Sequence, residues 1–245
     1  MSESTDDKFL NGRVMVRQPV RGFRSGLDAV MLAAAVPASS GDEVLELGSG
    51  SGAVSLCLAA RVVDCSVAGI EIDPALTEIA NANARTNNVD ARVRFVAGNA
   101  LLPPDALRRS FAHVFSNPPF HGAEGETSPD AARELALRDD GRLGDWFAVG
   151  LKRVASGGTF TAIVRADRLA DALTALPERG VAIFPLWPRA GEPAKRVVLQ
   201  ATKGSRAPPA LLPGLVLHET DGRYTREADA ILREGRSLAL AKPRL

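Results

Sequence analysis

Along this chain the apolar residues gather in short continuous runs, and the segments between those runs carry them at helical spacing. Such runs suit strands buried on both faces, and their alternation with helical segments predicts βαβ units and a parallel sheet. Seven strands are expected, over residues 43–47, 66–72, 92–96, 112–116, 159–164, 181–186 and 196–201. Helices are expected over 26–36, 53–61, 74–86, 146–154, 168–176 and 225–233. Two of them have start signals, Asp73 followed by Pro74 at the first helical position, and Asp145 before Trp146. The fold class is α/β and Rossmann-like, with a seven-stranded, mostly parallel sheet and helices on both faces.

Residues 1–12 place Glu3, Asp6 and Asp7 before any apolar run, the reverse of a secretory signal, and read as a flexible tail. Residues 13–245 read as one domain, made of an N-terminal segment (13–40), a core (41–202) and a C-terminal extension (203–245). The polar stretch 121–144 lies between a strand and a helix, and so long a connection suits a functional loop or lid. Residues 203–213 contain three prolines and are expected to run along the surface without entering the sheet.

Composition narrows the classes. With 45% hydrophobic and 24% charged residues among 245, the chain is an ordinary globular protein. Thirty basic against 29 acidic residues leave a net charge of +1, so a nucleic-acid partner has to be held by a local patch. The only cysteines, Cys57 and Cys65, lie in apolar stretches without a C-x-x-C, which excludes a disulfide scaffold or zinc ribbon and fits a reducing cytoplasm. No apolar run approaches the ~20 residues that cross a bilayer, so no membrane partner is expected.

The candidate chemistry begins at the end of the first core strand. Glu46-Leu47-Gly48-Ser49-Gly50-Ser51-Gly52 leads directly into the helix at Ala53, a βα turn whose glycines let a ligand approach the backbone. With Ala53 the turn also satisfies G-x-G-x-x-A, so a nicotinamide dinucleotide competes as ligand. Glu71, with Ile72 beside it, ends the next strand about 20 residues on, where a carboxylate accepts hydrogen bonds from both hydroxyls of a ribose. Gly98-Asn99-Ala100 closes the third strand, and Asn99 there can hydrogen-bond an adenine edge.

The sharpest signal is Asn117-Pro118-Pro119-Phe120 at the end of the fourth strand. Two prolines stiffen the backbone and remove two donors, leaving acceptors. An NH₂ group conjugated with a π-system is a poor nucleophile until that delocalisation is broken. The Asn117 oxygen and the Pro118 carbonyl can take one hydrogen each and favour a pyramidal nitrogen, while Phe120 offers a face for the planar group that carries it.

On these residues the chain resembles the class I S-adenosylmethionine-dependent methyltransferases. Glu46, Gly48, Gly50 and Gly52 stand as E-x-G-x-G-x-G, Glu71 as the acidic strand end, and Gly98-Asn99-Ala100 as the third landmark, with Asn99 where Asp is commoner. The [DNS]-P-P-[YFW] turn at Asn117 to Phe120 is similar to that of enzymes methylating adenine N6, cytosine N4 or glutamine amides. Upstream, the stretch from Gln18 to Ala33 resembles Q-P-x-x-G-[YF]-R-x-x-x-D-A-[VL]-x-L-A of the bacterial valine-tRNA adenine-N6 methyltransferase family, as does the ending from Leu217 to Thr225. The resemblance implies a tRNA substrate modified beside the anticodon, no metal and no obligate protein partner. It also implies that the 13–40 segment covers the cofactor, with Ser25 and Asp28 on the cofactor side.

It implies a cofactor site of Glu46, Gly48, Ser49, Gly50, Gly52, Glu71, Ile72, Asn99, Ala100 and Asn117, with Asn117, Pro118, Pro119 and Phe120 catalytic. Arg13, Arg17, Arg21 and Arg24 cluster near the N-terminus and can meet phosphates. Three alternatives stay open. A glutamine-amide methyltransferase shares the Asn-Pro-Pro turn but usually carries an extra helical N-terminal domain, for which about 40 residues ahead of the first strand are too few. A nicotinamide-dependent oxidoreductase would need a proton donor that no Tyr/Lys or His/Asp arrangement here supplies. A silent RNA-binding protein on the same fold is the third. His121 follows the Asn-Pro-Pro-Phe turn and reads as a solvent-facing loop histidine, His113 and His218 are isolated, and Trp146 and Trp187 read as core or rim packing.

Overall fold

Strand β3 (Glu43–Leu47) lies third from one edge of a nine-stranded sheet in the computed structural model, which describes residues 3–119, 142–238 and 240. Its long partners are β4 (Ser66–Glu71), β5 (Val93–Ala97), β6 (Phe111–Ser116), β7 (Val154–Arg165), β8 (Val181–Trp187) and β9 (Arg196–Thr202). The spatial order is β5-β4-β3-β6-β7-β9-β8, parallel except for β9, which runs antiparallel to both neighbours. All seven match the expected strands to within a few residues at each end, β7 starting earliest. Two short strands, β10 (Ala210–Leu211) and β11 (Leu215–Val216), pair with β8. The proline-bearing stretch 203–213 therefore does enter the sheet. It does so at an edge, where a strand lacking some donors is tolerated.

The helices are α1 (Leu27–Ala35), α2 (Ala53–Arg61), α3 (Pro74–Thr86), α4 (Leu143–Arg153), α5 (Leu169–Thr174) and α6 (Arg226–Glu234). They cover two faces. Val44 and Phe115 point into a core shared with α1, α2, α3 and α6, while Leu45, Leu47 and Val114 point into one shared with α4 and α5. Asp73 caps α3 by accepting from the Ala75 amide at 2.8 Å, with Pro74 behind it. Asp145 caps nothing: α4 begins two residues earlier, and Asp145 sits in its first turn.

The N-terminus corrects the expected tail. Here β1 (Ser4–Phe9) pairs antiparallel with β2 (Val14–Pro19), through a turn in which Leu10, Asn11 and Gly12 all have positive φ. Strand β1 is polar because cross-strand partners hold it. Asp6 meets Arg17 at 3.0 Å, and Asp7 accepts from Gln18 at 2.7 Å and from Arg24 at 2.5 Å.

This hairpin is not joined to the large sheet by a ladder. The side chains of Asn83 on α3 and of Asn87 at its C-cap accept from the amides of Arg17 and Met15 at 2.9 Å each, and donate back to the carbonyls of the same residues.

Candidate active site

Strands β4 and β6 flank β3 on opposite sides, so the chain reverses its direction of travel across the sheet at the carboxyl ends of β3 and β6. In open α/β sheets a crevice forms at such a point. Register then decides what lines it. Leu47 of β3 pairs with Ser116 of β6, and Glu71 of β4 pairs with Ala97 of β5. The glycine turn after Leu47, the turn after Ala97 and the Asn-Pro-Pro segment after Ser116 therefore stand side by side, with Gly48 neighbouring Asn117. The Ser116 hydroxyl donates to the Leu47 carbonyl at 2.9 Å and locks the two strand ends together.

The glycines of the turn have three different surroundings, although all have positive φ. A Cβ at Gly48 would stand 2.9 Å from Cη2 of Trp146, and one at Gly52 would stand 2.7 Å from the Phe95 ring. At Gly50 it would meet nothing within 4 Å. Gly48 and Gly52 thus serve packing, and Gly50 turns its bare side to open space, the cradle a ligand needs. The Gly50 amide donates to Glu71 at 2.7 Å, and the Asp73 amide donates to the other carboxylate oxygen at 3.1 Å. Glu71 is buried, and desolvation raises its pKa while these amides pull it back.

Glu46 also anchors the helix that follows the turn. It is 1% exposed, lies beneath the turn, and accepts from both the hydroxyl and the amide of Ser55. Ser55 is in the first turn of α2, whose N-cap Gly52 has no side chain to offer, so Glu46 caps that helix from the adjoining strand. Burial pushes its pKa up to about 8, with Ser55 opposing the shift.

Four buried side-chain polar atoms lack a hydrogen-bond partner among the described residues, and two of them, Ser49 Oγ and Asn117 Oδ1, stand at this crevice. A buried acceptor without a donor costs about 1–3 kcal/mol, a cost that a ligand donating to it removes. The Asn99 oxygen accepts from the Leu101 amide at 2.9 Å, which leaves the amide nitrogen to face outward as a donor. Ile72, 46% exposed, adds an apolar surface at the end of β4, and Ala100 is buried behind the third turn. Phe120 and His121 lie outside the described residues, as does most of the 121–144 stretch.

The N-terminal segment reaches the site through Gln18, a residue the sequence pattern contained but gave no role. Buried at 1% exposure, Gln18 accepts from the Ser25 amide at 2.8 Å and the Ser51 hydroxyl at 3.2 Å, and donates to Asp7 and to the Ser25 carbonyl. Ser25 thus takes part through its backbone. Asp28 is held by Arg196 of β9 at 2.8 Å. The arginines divide similarly. Arg17 pairs with Asp6, Arg24 with Asp7, and Arg13 donates to the Glu234 carbonyl at 2.8 Å, so three of the four candidates for phosphate contact have partners within the protein. His113 lies toward the other end of β6 between Thr159 and Asp42, where burial lowers its pKa.

A sheet of this order, with an open glycine turn and an acidic strand end meeting at its crevice, defines a class I methyltransferase that uses S-adenosylmethionine. Residues 26–145 match the family model described as the methyltransferase small domain, and the chain is an S-adenosylmethionine-dependent methyltransferase. A tRNA1(Val) (adenine(37)-N6)-methyltransferase from Aeromonas hydrophila is 28% identical over 208 residues, covering 83% of this chain and 86% of that one. The crystal structure of a predicted O-methyltransferase from Agrobacterium tumefaciens superposes with a TM-score of 0.72 at 27% identity, covering 86% of this chain and 98% of that one. A geranyl diphosphate methyltransferase in complex with S-adenosylmethionine shares the fold, with a TM-score of 0.51 at 16% identity over 71% of this chain and 84% of that one. No helix among the described residues is long and apolar enough to cross a membrane.

Proposed function

We propose that this enzyme methylates N6 of an adenine in the anticodon loop of a tRNA, of the valine-tRNA type. The observation that carries the reading is the Asn117 oxygen, without a hydrogen-bond partner among the described residues and held beside the glycine turn by a proline-stiffened strand end. S-adenosylmethionine supplies a methyl group on positively charged sulfur, and the protein's task is alignment. Glu71 would accept from the ribose hydroxyls, the Asn99 amide would donate to the adenine, and Gly50 leaves room for the methionyl end. Asn117 and the Pro118 carbonyl would each take one hydrogen of the acceptor NH₂. The nitrogen lone pair then faces the methyl group, and the cation formed releases its proton to water. No residue has to change protonation state.

The acceptor is argued from its hydrogens. A hydroxyl carries one hydrogen and has no use for two converging acceptors, so the O-methylation named for the Agrobacterium protein suits this turn less well than an NH₂ group. The Aeromonas relative's name supports adenine within a tRNA. A tRNA substrate also places the enzyme in the cytoplasm, in keeping with two buried free cysteines. The test is transfer of a tritiated methyl group to unmodified tRNA, to a release-factor peptide and to duplex DNA, followed by mass analysis of the tRNA nucleosides. N6-methyladenosine in the anticodon loop is expected. Label confined to the peptide would move the enzyme to the glutamine-modifying branch.

A further inference from the structure

Between β2 and α1 the chain makes a closed loop, residues 19–25, at the rim of the glycine turn. Its base is clamped. Gln18 bonds both the amide and the carbonyl of Ser25 and accepts from Ser51 in the glycine turn, while Arg24 donates to the Pro19 carbonyl at 3.1 Å and to Asp7 at 2.5 Å. Its tip is the opposite. Val20 is 42% exposed and Phe23 47%, and Arg21 makes no hydrogen bond or ion pair among the described residues. A large aromatic side chain held in water on a rigid base has lost chain freedom without gaining burial, which is how a preorganised contact is built. Arg21 contrasts with Arg13, Arg17 and Arg24, whose groups are committed within the protein.

We infer that the 19–25 loop is an RNA-contacting element, in which Phe23 stacks on an unpaired base next to the acceptor and Arg21 meets an adjoining phosphate. This rests on the tRNA reading above. The chemistry selects single-stranded RNA: an anticodon loop presents unstacked bases beside phosphates, and an aromatic face with a neighbouring guanidinium binds that pair without reading sequence. Because Gln18 joins the loop to Ser51, RNA engaged there lies next to the site that holds the cofactor. The loop thus makes positional use of a binding energy the near-neutral molecule cannot obtain from bulk charge.

The experiment compares full-length wild type with Phe23→Ala, Phe23→Trp and Arg21→Ala, measuring binding of a tRNA anticodon stem-loop at several salt concentrations, S-adenosylmethionine affinity by calorimetry, and methyl transfer. Phe23→Ala should weaken RNA binding about tenfold, the loss expected for one base–aromatic stack, and should raise KM for RNA more than it lowers kcat. Phe23→Trp should restore binding, and Arg21→Ala should reduce the salt slope by about 0.7. Cofactor affinity should hold in all three. If wild type methylates tRNA and the variants bind RNA as it does, the loop assignment is wrong while the function stands. If cofactor affinity falls together with RNA affinity, the loop serves the cofactor, and the inference fails. If wild type neither binds nor methylates tRNA, the functional reading itself falls and takes the loop's role with it.

Discussion

Asn117 concentrates the conflict between stability and function in one atom. Its oxygen is shut away from water with no donor among the described residues, so removing it relieves a desolvation penalty. Asn117→Ala should lower kcat by about 10²–10³, the usual cost of one transition-state hydrogen bond, with cofactor affinity little changed and the melting temperature unchanged or raised. A variant that is slow because it is unfolded would show the opposite in thermal denaturation. Gly50→Val puts a branched side chain at positive φ and into the one open side of the turn, and calorimetry should detect no S-adenosylmethionine binding. Glu46 makes a pH prediction. Its folded-state pKa is raised from 4.5 to about 8, so the folded protein holds a proton that the unfolded chain releases. The stability this contributes is fully present below pH 4.5 and is lost as pH rises through 8, at up to about 1.4 kcal/mol per pH unit. Glu46→Gln, which keeps an acceptor for Ser55, should flatten that decline when urea midpoints are compared across the range.

At the scale of elements, legibility followed burial. Strands β3 to β9 were readable because a strand covered on both faces has to be apolar, and helix α3 because Asp73 and Pro74 mark its start in the sequence itself. Strand β1 was not, since Ser-Thr-Asp-Asp-Lys-Phe shows no apolar pattern and its partners, Arg17, Gln18 and Arg24, are more than ten residues away. The same gap hid part of the site. Gly48, Gly50 and Gly52 look alike in sequence, and only the packing of Trp146 and Phe95 separates the two that serve packing from the one left open. Helix α4 supplies a sharper case. Propensity favours Ala over Gly by about 1 kcal/mol within a helix. Yet a Cβ at Gly150 would fall 2.2 Å from the Phe160 ring, which packs edge-on against Phe147. Gly150→Ala should therefore destabilise by about 1–3 kcal/mol, read from the denaturant midpoint.

On the scale of the whole molecule, the methyltransferase domain carries its N-terminal hairpin as a separately held piece. Asn83 on α3 and Asn87 at its C-cap bind the edge of β2 as a neighbouring strand would, because a carboxamide has the same donor and acceptor as a peptide group. Their spacing can be checked against repeat lengths. Four residues of helix advance about 6 Å, and two residues of strand about 6.6 Å, so Asn83 and Asn87 reach Arg17 and Met15 nearly in step. The pairing stops there because α3 ends at Thr86 and Asn88, the residue after Asn87, has positive φ, so the backbone leaves the helical path. The carboxyl end of this helix therefore impersonates a strand for two contacts. Hydrogen exchange should show the consequence, with the Met15 and Arg17 amides protected to a lower opening energy than those of β3, and losing that protection together when either asparagine is changed.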